Sequence, residues 1–139
     1  MLVVLDSNVL LSGILSPEGA AAQVYRAWRE KRFELVTCAE QIEEIRRASR
    51  YPRFRAALQP HRFGTLLNNL NRAHLWAGLL PHLHDAEDPT DSYLLNLAAA
   101  ARAHYLVTGD KRSRILDRKR ISETRIYGVR EFCAQVLHL

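Results

Sequence analysis

The chain has 139 residues, the usual size of one domain, and we expect a single domain over residues 1–139. Apolar residues make up 47% and charged residues 25%, a globular composition that excludes a disordered chain. Cys38 and Cys133 form neither a CxxC pair nor a zinc-type cluster, which excludes a disulfide scaffold and a zinc ribbon. No apolar run reaches the ~20 residues that span a bilayer. Since residues 1–6 also lack a signal-peptide pattern, we expect no membrane attachment and a cytoplasmic location.

Charge is distributed unevenly along the chain. There are 20 Lys and Arg residues against 15 Asp and Glu residues, and this net charge of +5 favours polyanionic partners such as nucleic acid. Cations are concentrated in residues 111–120 and in a second cluster that consists of Arg46, Arg47, Arg50, Arg53 and Arg55. Residues 85–91 are acidic instead. The charges are therefore segregated along the sequence.

Short apolar runs alternate with helical patterns. In chain order, we predict a strand at residues 2–5, helices at 9–15 and 18–31, a strand at 33–36, helices at 38–50 and 60–73, a short strand at 79–83, a helix at 90–102, strands at 105–108 and 124–127, and a helix at 129–137. Pro17 and Pro52 interrupt helical patterns, whereas Pro60 begins one. Strands that alternate with helices indicate an α/β layered fold with a mostly parallel sheet.

Acidic residues stand next to the ends of two predicted strands. Asp6 ends the strand at 2–5, and Asp110 follows the strand at 105–108 after one glycine. Asp91 lies in the first turn of the helix that leads into the second of these strands. In open α/β sheets, ligands bind outside the carboxyl ends of the strands. We therefore expect all three carboxylates at one edge of the sheet.

Glu44 is the fourth candidate acid. At ~100° per residue, Ile42, Ile45 and Ala48 define the apolar stripe of their helix. Glu44 lies at the margin of this stripe, from which it can lean into a cleft. Glu43 and Glu40 point away from the stripe, although both remain alternatives for the helix acid.

A group of carboxylates in a small space must take up protons or bind a cation, because one pair at ~4 Å repels by ~4 kcal/mol at an effective dielectric near 20. Oxygen ligands suit Mg²⁺ or Mn²⁺, which also bind phosphate oxygens. Such a metal can activate water for attack on a phosphodiester, while nearby Lys and Arg hold backbone phosphates. This combination would be a metal-dependent nuclease.

Each acid also has a structural interpretation. Asp6 could cap the first helix, Asp91 could complement a helix dipole and Asp110 could be a turn residue. Glu44 could form an i,i+3 ion pair with Arg47. A phosphohydrolase of the haloacid-dehalogenase type, with a strand-end Asp as nucleophile, is an enzymatic alternative, although such enzymes carry a second Asp where this chain has Asn8.

Four segments together resemble the PIN domain family. They are LDSNVL at residues 5–10, EEI at 43–45, DPTD at 88–91 and YLVTGDK at 105–111, and they extend over essentially the whole chain in the family's order. The similarity is closest to the branch related to VapC toxins of toxin–antitoxin pairs.

The resemblance implies a three-layer α/β/α, Rossmann-like fold and a Mg²⁺- or Mn²⁺-dependent endoribonuclease. It implies cleavage of RNA by a metal-activated water, which leaves 5′-phosphate and 3′-hydroxyl ends. The family's metal-binding acids correspond to Asp6, Glu44, Asp91 and Asp110. Auxiliary positions correspond to Ser7, Asn8, Asp88 and Thr108. Because they follow Asp110 closely, we assign contacts with the RNA backbone to Lys111, Arg112 and Arg114.

Partners are expectations from the family. The resemblance implies an RNA substrate, a homodimer and a cognate antitoxin protein. A PIN-type nuclease that acts in RNA processing without an antitoxin would show the same motifs. A catalytically inactive PIN-like module that binds RNA or protein is the non-enzymatic alternative.

Overall fold

The computed structural model describes residues 1–86, 91–109 and 114–139. In chain order the elements are β1 (Leu2–Leu5), α1 (Ser7–Leu15), α2 (Ala20–Arg29), β2 (Glu34–Thr37), α3 (Ala39–Ala48), α4 (Pro52–Arg55), α5 (Pro60–Asn71), β3 (His74–Leu75), α6 (Ser92–Ala100), β4 (Tyr105–Val107), α7 (Ile115–Arg118), β5 (Arg120–Ile121), β6 (Thr124–Tyr127) and α8 (Val129–Gln135). Among the residues described, no helix combines the length and the apolarity that a membrane crossing requires.

The strands form one sheet in the order β3-β2-β1-β4-β6-β5. Neighbouring strands are parallel except for the pair of β5 with β6. In β1, Val3 is in register with Leu35 of β2 on one side and with Tyr105 of β4 on the other. Strand order reverses between β1 and β4, which makes the carboxyl end of β1 the topological switch point where ligands bind in open α/β sheets.

Helices cover both faces of the sheet. Val3 and Leu5 of β1 belong to one core, together with side chains of α1, α2, α5 and α8. Val4 belongs to a second core, where Leu95 of α6 is one of its neighbours in the cluster, because successive side chains of a strand point to opposite faces. β1 is thus buried on both faces, as its continuous apolar run predicts. The expected three-layer α/β/α fold with a mostly parallel sheet is confirmed.

Most predicted elements are present, with ends shifted by a few residues. The strand at 124–127 has the predicted bounds, and the helix predicted at 18–31 is two residues shorter at each end. Cys38 precedes α3 instead of lying in it. The predicted start of α6 at Thr90 lies outside the described residues. The patterns did not predict α4, α7 and β5, which have two to four residues each and carry too little periodicity to be recognised.

The strand predicted at residues 79–83 is wrong. The strand that pairs with β2 is β3, which lies several residues earlier in the chain. Gly78 has a φ of 77° and ends the extended run after β3. Leu79 is 94% exposed and Leu83 is also exposed, so this apolar stretch has no sheet to cover its side chains.

Candidate active site at the carboxyl edge of the sheet

Asp6 lies at the switch point, between the end of β1 and the start of α1. Its backbone N–H donates to the Val107 carbonyl at 2.9 Å, which continues the ladder to β4. Its carboxylate Oδ1 accepts the backbone N–H of Asn8 at 3.2 Å, so the predicted helix cap is confirmed. The residue is only 5% exposed, which is unusual for an aspartate. Asp6 is therefore a buried carboxylate that is held at the edge where ligands bind.

Thr108 is the partner of Asp6 on the β4 side. It directly follows β4, is fully buried, and donates its hydroxyl to Asp6 Oδ2 at 2.7 Å. Its own backbone N–H donates to the Tyr127 carbonyl at 3.1 Å. Both carboxylate oxygens of Asp6 thus accept hydrogen bonds from groups that the sheet and α1 hold in place. Hydrogen bonds to an ionised acceptor are stronger than neutral ones and define its orientation.

On the other side of Asp6, the Tyr93 hydroxyl contacts two polar side chains. Tyr93 O–H donates to Glu44 Oε1 at 2.7 Å, and the Ser7 Oγ lies 3.0 Å from the Tyr93 oxygen. These residues come from α6, α3 and α1 respectively. Burial and the adjacent Glu44 charge raise the pKa of Tyr93 well above its ordinary value, with a smaller contribution from Asp6. Tyr93 is therefore a neutral donor that joins the Glu44 carboxylate to the residue next to Asp6.

A second buried network fixes α3 against the sheet. The Gln41 side-chain amide donates to the Leu5 carbonyl at 2.6 Å, and the Thr37 hydroxyl donates to Gln41 Oε1 at 2.6 Å. Gln41 and Thr37 are both fully buried. Because Leu5 immediately precedes Asp6 and Gln41 lies one turn before Glu44, this network sets the distance between the two acids' elements.

The buried face of α3 is displaced slightly from the predicted stripe. It consists of Gln41, Ile45 and Ala48, whereas Ile42 is only half-buried. Glu44 is half-buried beside this face and Glu43 is exposed, in agreement with the predicted geometry. Of the three glutamates considered, Glu44 is the one that the described hydrogen bonds join to Tyr93.

The thiol of Cys38 lies buried at the start of α3. Burial raises its pKa to about 11, and the negative charges of Glu40 and Glu44 add to the effect, while backbone N–H groups oppose it. Cys38 is thus a protonated thiol at neutral pH. Cys38 and Cys133 are both free, buried cysteines.

Of the remaining candidates, Asp91 and Arg114 lie within the described residues. Asp91 occupies the N-cap position of α6, where it is half-buried and lies two residues before Tyr93. Arg114 precedes α7 with a φ of 57°, and its Nε lies 3.1 Å from Oδ2 of Asp117 in an exposed ion pair. The following candidates lie outside the described residues: Asp88, Asp110, Lys111 and Arg112.

The donor set at this edge has the chemistry of a hard-cation site. Asp6 and Glu44 supply carboxylate oxygens, and the hydroxyl of Ser7 lies beside them. Mg²⁺ and Mn²⁺ take such oxygen ligands, and both commonly bind one or two carboxylates together with phosphate oxygens. Within residues 1–86, 91–109 and 114–139, no group of three Asp, Glu, His or Cys side chains could hold a metal ion. The residues present fit the ion by donor type, and Tyr93 joins Glu44 to Ser7, the residue that follows Asp6.

Sequence reasoning missed Tyr93, Gln41 and Thr37. The signal for Gln41 is a polar residue on the helical face defined by Ile45 and Ala48, since such a residue must find a buried partner. The signal for Tyr93 is a hydroxyl-bearing aromatic residue in the first turn after Asp91, close to the predicted ligand edge.

Comparisons with known proteins extend this description. A family model described as PIN domain matches residues 2–112, a range that runs from β1 past the end of β4. A search of curated proteins gave no match. A search of solved structures gave none either.

Proposed function

The chain belongs to the PIN domain family, and from that premise we propose that it is a Mg²⁺- or Mn²⁺-dependent endoribonuclease. PIN domains are generally nucleases, and PIN nucleases generally use divalent metals. The observation that carries the proposal is the buried Asp6 carboxylate at the switch point, with Glu44 joined through Tyr93 to Ser7, the residue that follows Asp6. An acid that is buried where ligands bind costs folding free energy, and a functional role accounts for that cost.

In this proposal, the metal is held by Asp6, Glu44, Asp91 and Asp110. A bound divalent ion neutralises charge on the phosphodiester and lowers the pKa of the attacking water. The protein's own groups orient the ligands: Thr108 and the Asn8 N–H hold Asp6, and Tyr93 holds Glu44. In the same proposal, Asp88 is an auxiliary acid.

Exposed arginines on α3 and α4 support RNA as the substrate. Arg53 of α4 lies over the ring of Phe54 and has its Nη2 3.4 Å from Ser12 Oγ, so its guanidinium lies against the second half of α1. Arg47 is exposed one turn after Glu44 on α3. We propose that these cations hold backbone phosphates together with Lys111, Arg112 and Arg114. Part of the charge of Arg114 is already offset by Asp117.

The biological setting belongs to the same proposal. We propose a VapC-like toxin, one domain over residues 1–139, that acts in the cytoplasm as a homodimer and is neutralised by a cognate antitoxin protein. A PIN nuclease of RNA processing that has no antitoxin is the alternative within the family. Co-expression with the product of the neighbouring reading frame distinguishes them, because only a toxin loses its growth inhibition when its antitoxin is present.

The chemistry is tested with purified protein and a labelled RNA. We expect cleavage with Mn²⁺ that leaves 5′-phosphate and 3′-hydroxyl ends, stops with EDTA and returns with excess Mn²⁺. Asp6→Asn should lower the rate at least about a hundredfold, since loss of even an outer-shell group costs 10–100-fold. Asparagine is also a good helix cap, so the melting temperature should change little. Asp85→Asn, at an exposed acid, is the matched control.

Other results point to the alternatives. Cleavage that is indifferent to EDTA or to Asp6→Asn would refute the metal mechanism. Tight RNA binding without metal-dependent turnover, unaffected by Asp91→Ala, would identify a binding module. A covalent aspartyl-phosphate on Asp6 would identify a phosphohydrolase.

A further inference from the structure

We propose that Tyr93 is a positioning residue, whose hydroxyl fixes the Glu44 carboxylate and the Ser7 hydroxyl in one arrangement beside Asp6. The inference rests on the proposed function, because the arrangement matters only if Glu44 serves as a metal ligand or holds a metal-bound water. It concerns a residue that the sequence motifs of the site do not include.

Only one assignment of donors and acceptors fits the two hydrogen bonds of the Tyr93 hydroxyl. An ionised carboxylate only accepts, so the 2.7 Å contact with Glu44 Oε1 uses the single proton of the Tyr93 hydroxyl. The Ser7 hydroxyl must then donate to the Tyr93 oxygen across their 3.0 Å contact. The chain of donors therefore runs from Ser7 to Tyr93 to Glu44, and each side chain has a defined role in it.

The side chains of Glu44 and Tyr93 differ in rigidity. Glu44 has three rotatable side-chain bonds, and immobilising such a side chain costs up to about 2 kcal/mol in lost rotamer freedom. Tyr93 has two, and its ring packs against the second core beside α6. The packed ring therefore holds the Tyr93 hydroxyl in place, and the hydrogen bond from this hydroxyl restricts the rotation of the Glu44 side chain. Without it, a half-buried Glu44 is free to swing toward solvent.

The protein contains a second hydrogen-bonded tyrosine hydroxyl, which serves as a matched control for the loss of the Tyr93 hydroxyl. Tyr25 of α2 accepts a hydrogen bond from Asn69 Nδ2 at 3.3 Å, on the face of the sheet opposite to α6. Tyr93→Phe and Tyr25→Phe each remove a single hydrogen-bonded oxygen and keep the ring. A purely structural role of the Tyr93 hydroxyl predicts that both variants behave alike.

The experiment compares the two variants in Mn²⁺ binding and in RNA cleavage. Isothermal titration of the RNA-free protein with Mn²⁺ should give a Kd raised about tenfold in Tyr93→Phe and unchanged within twofold in Tyr25→Phe. The kcat of Tyr93→Phe should fall about tenfold while its KM for RNA stays within twofold. Thermal melting of both variants controls for folding.

A double-variant comparison tests whether Tyr93 acts through Glu44. Adding Tyr93→Phe to Glu44→Ala should change the Mn²⁺ affinity by less than twofold, because the carboxylate to be positioned has already been removed. Wild-type Mn²⁺ affinity and kcat in Tyr93→Phe would overturn the proposal, as would fully additive effects.

The possible results distinguish a failure of the proposed nuclease function from a failure of the role proposed for Tyr93. A wild-type protein that binds Mn²⁺ but cleaves no RNA refutes the proposed function, and the Mn²⁺ titrations still decide the role of Tyr93. A wild-type protein that binds no Mn²⁺ overturns both proposals.

Discussion

The two sides of Asp6 are built by different means. On the β4 side, Leu5 is in register with Val107, so the next residues, Asp6 and Thr108, are brought together by the strands themselves. On the helical side, Ser7, Tyr93 and Glu44 meet only because three helices pack at suitable distances and their side chains have the right lengths. The first contact follows from backbone register, whereas the second follows from side-chain reach. The helical side should therefore be the more adjustable part of the site.

The strongest way to break the helical side is Glu44→Gln. The amide still accepts from Tyr93 but loses the charge that attracts a cation, so we expect RNA cleavage to fall about 30- to 100-fold. Glu43→Gln, at the exposed neighbour on the same helix, is the control and should stay within twofold of wild type. Equal losses in both variants would mean that the overall charge of α3, and not the placed carboxylate, determines activity.

The β4 side is broken by Thr108→Val, which keeps the shape and removes the hydroxyl. Asp6 Oδ2 then loses its 2.7 Å hydrogen bond, and we expect a roughly tenfold lower cleavage rate. Thr108→Ser keeps the hydroxyl and should restore most of the rate. If Val and Ser behave alike in a single-turnover assay, the hydroxyl does not orient Asp6.

Gln41→Leu tests the support beneath Glu44. The Leu5 carbonyl and the Thr37 hydroxyl lose their buried partner, which should lower the free energy of unfolding by about 2–3 kcal/mol. Urea denaturation measures this change. Gln23→Leu, at an exposed position of α2, should cost no more than about 0.5 kcal/mol. A stability loss in Gln41→Leu as small as that of the control would show that the network contributes nothing to folding.

The smallest effect concerns the Cys38 thiol, which reports on the negative charge around α3. Its pKa is raised from 9.0 to about 11 by burial, with Glu40 and Glu44 adding to the shift. Below pH 9 both folded and unfolded chains hold this proton, and the stabilisation is complete. As pH rises toward 11, the unfolded chain loses the proton that the folded chain keeps, so the free energy of unfolding falls.

Urea denaturation at pH 8 and pH 10.5 should show this decrease, and Cys38→Ala should make it smaller. An unchanged pH slope in Cys38→Ala would mean that other groups cause the whole decrease.

The layered fold could be predicted because its signals are local. The continuous apolar run of β1 requires burial on both faces, and β6 has the predicted bounds with burial that alternates along the strand. The prediction of a strand at residues 79–83 was wrong because an apolar run does not indicate whether a partner strand is available for pairing. β3 is a two-residue edge strand with exposed side chains, and only its pairing with β2 identifies it.

The residues of the site likewise differ in whether the sequence could predict them. Asp6 could be placed from its position at a strand end, Glu44 from helical periodicity, and Thr108 from the resemblance to the family. Tyr93 and Gln41 could not, because the bonds of Tyr93 to Ser7 and Glu44 and of Gln41 to Leu5 span 36 to 86 residues and depend on how the helices pack. Periodicity indicates which face of a helix is buried, but not which polar group on another element it meets.

The register between β1 and β4 also governs when the contact between Asp6 and Thr108 can form during synthesis. Asp6 leaves the ribosome 102 residues before its partner Thr108. At about 5–20 residues per second, that gap corresponds to roughly 5–20 s of translation. Until then β1 has no neighbour on its β4 side, and Asp6 Oδ2 lacks the hydroxyl that donates to it. The carboxyl edge of the sheet is therefore completed only after the ribosome has made the whole segment between these two residues.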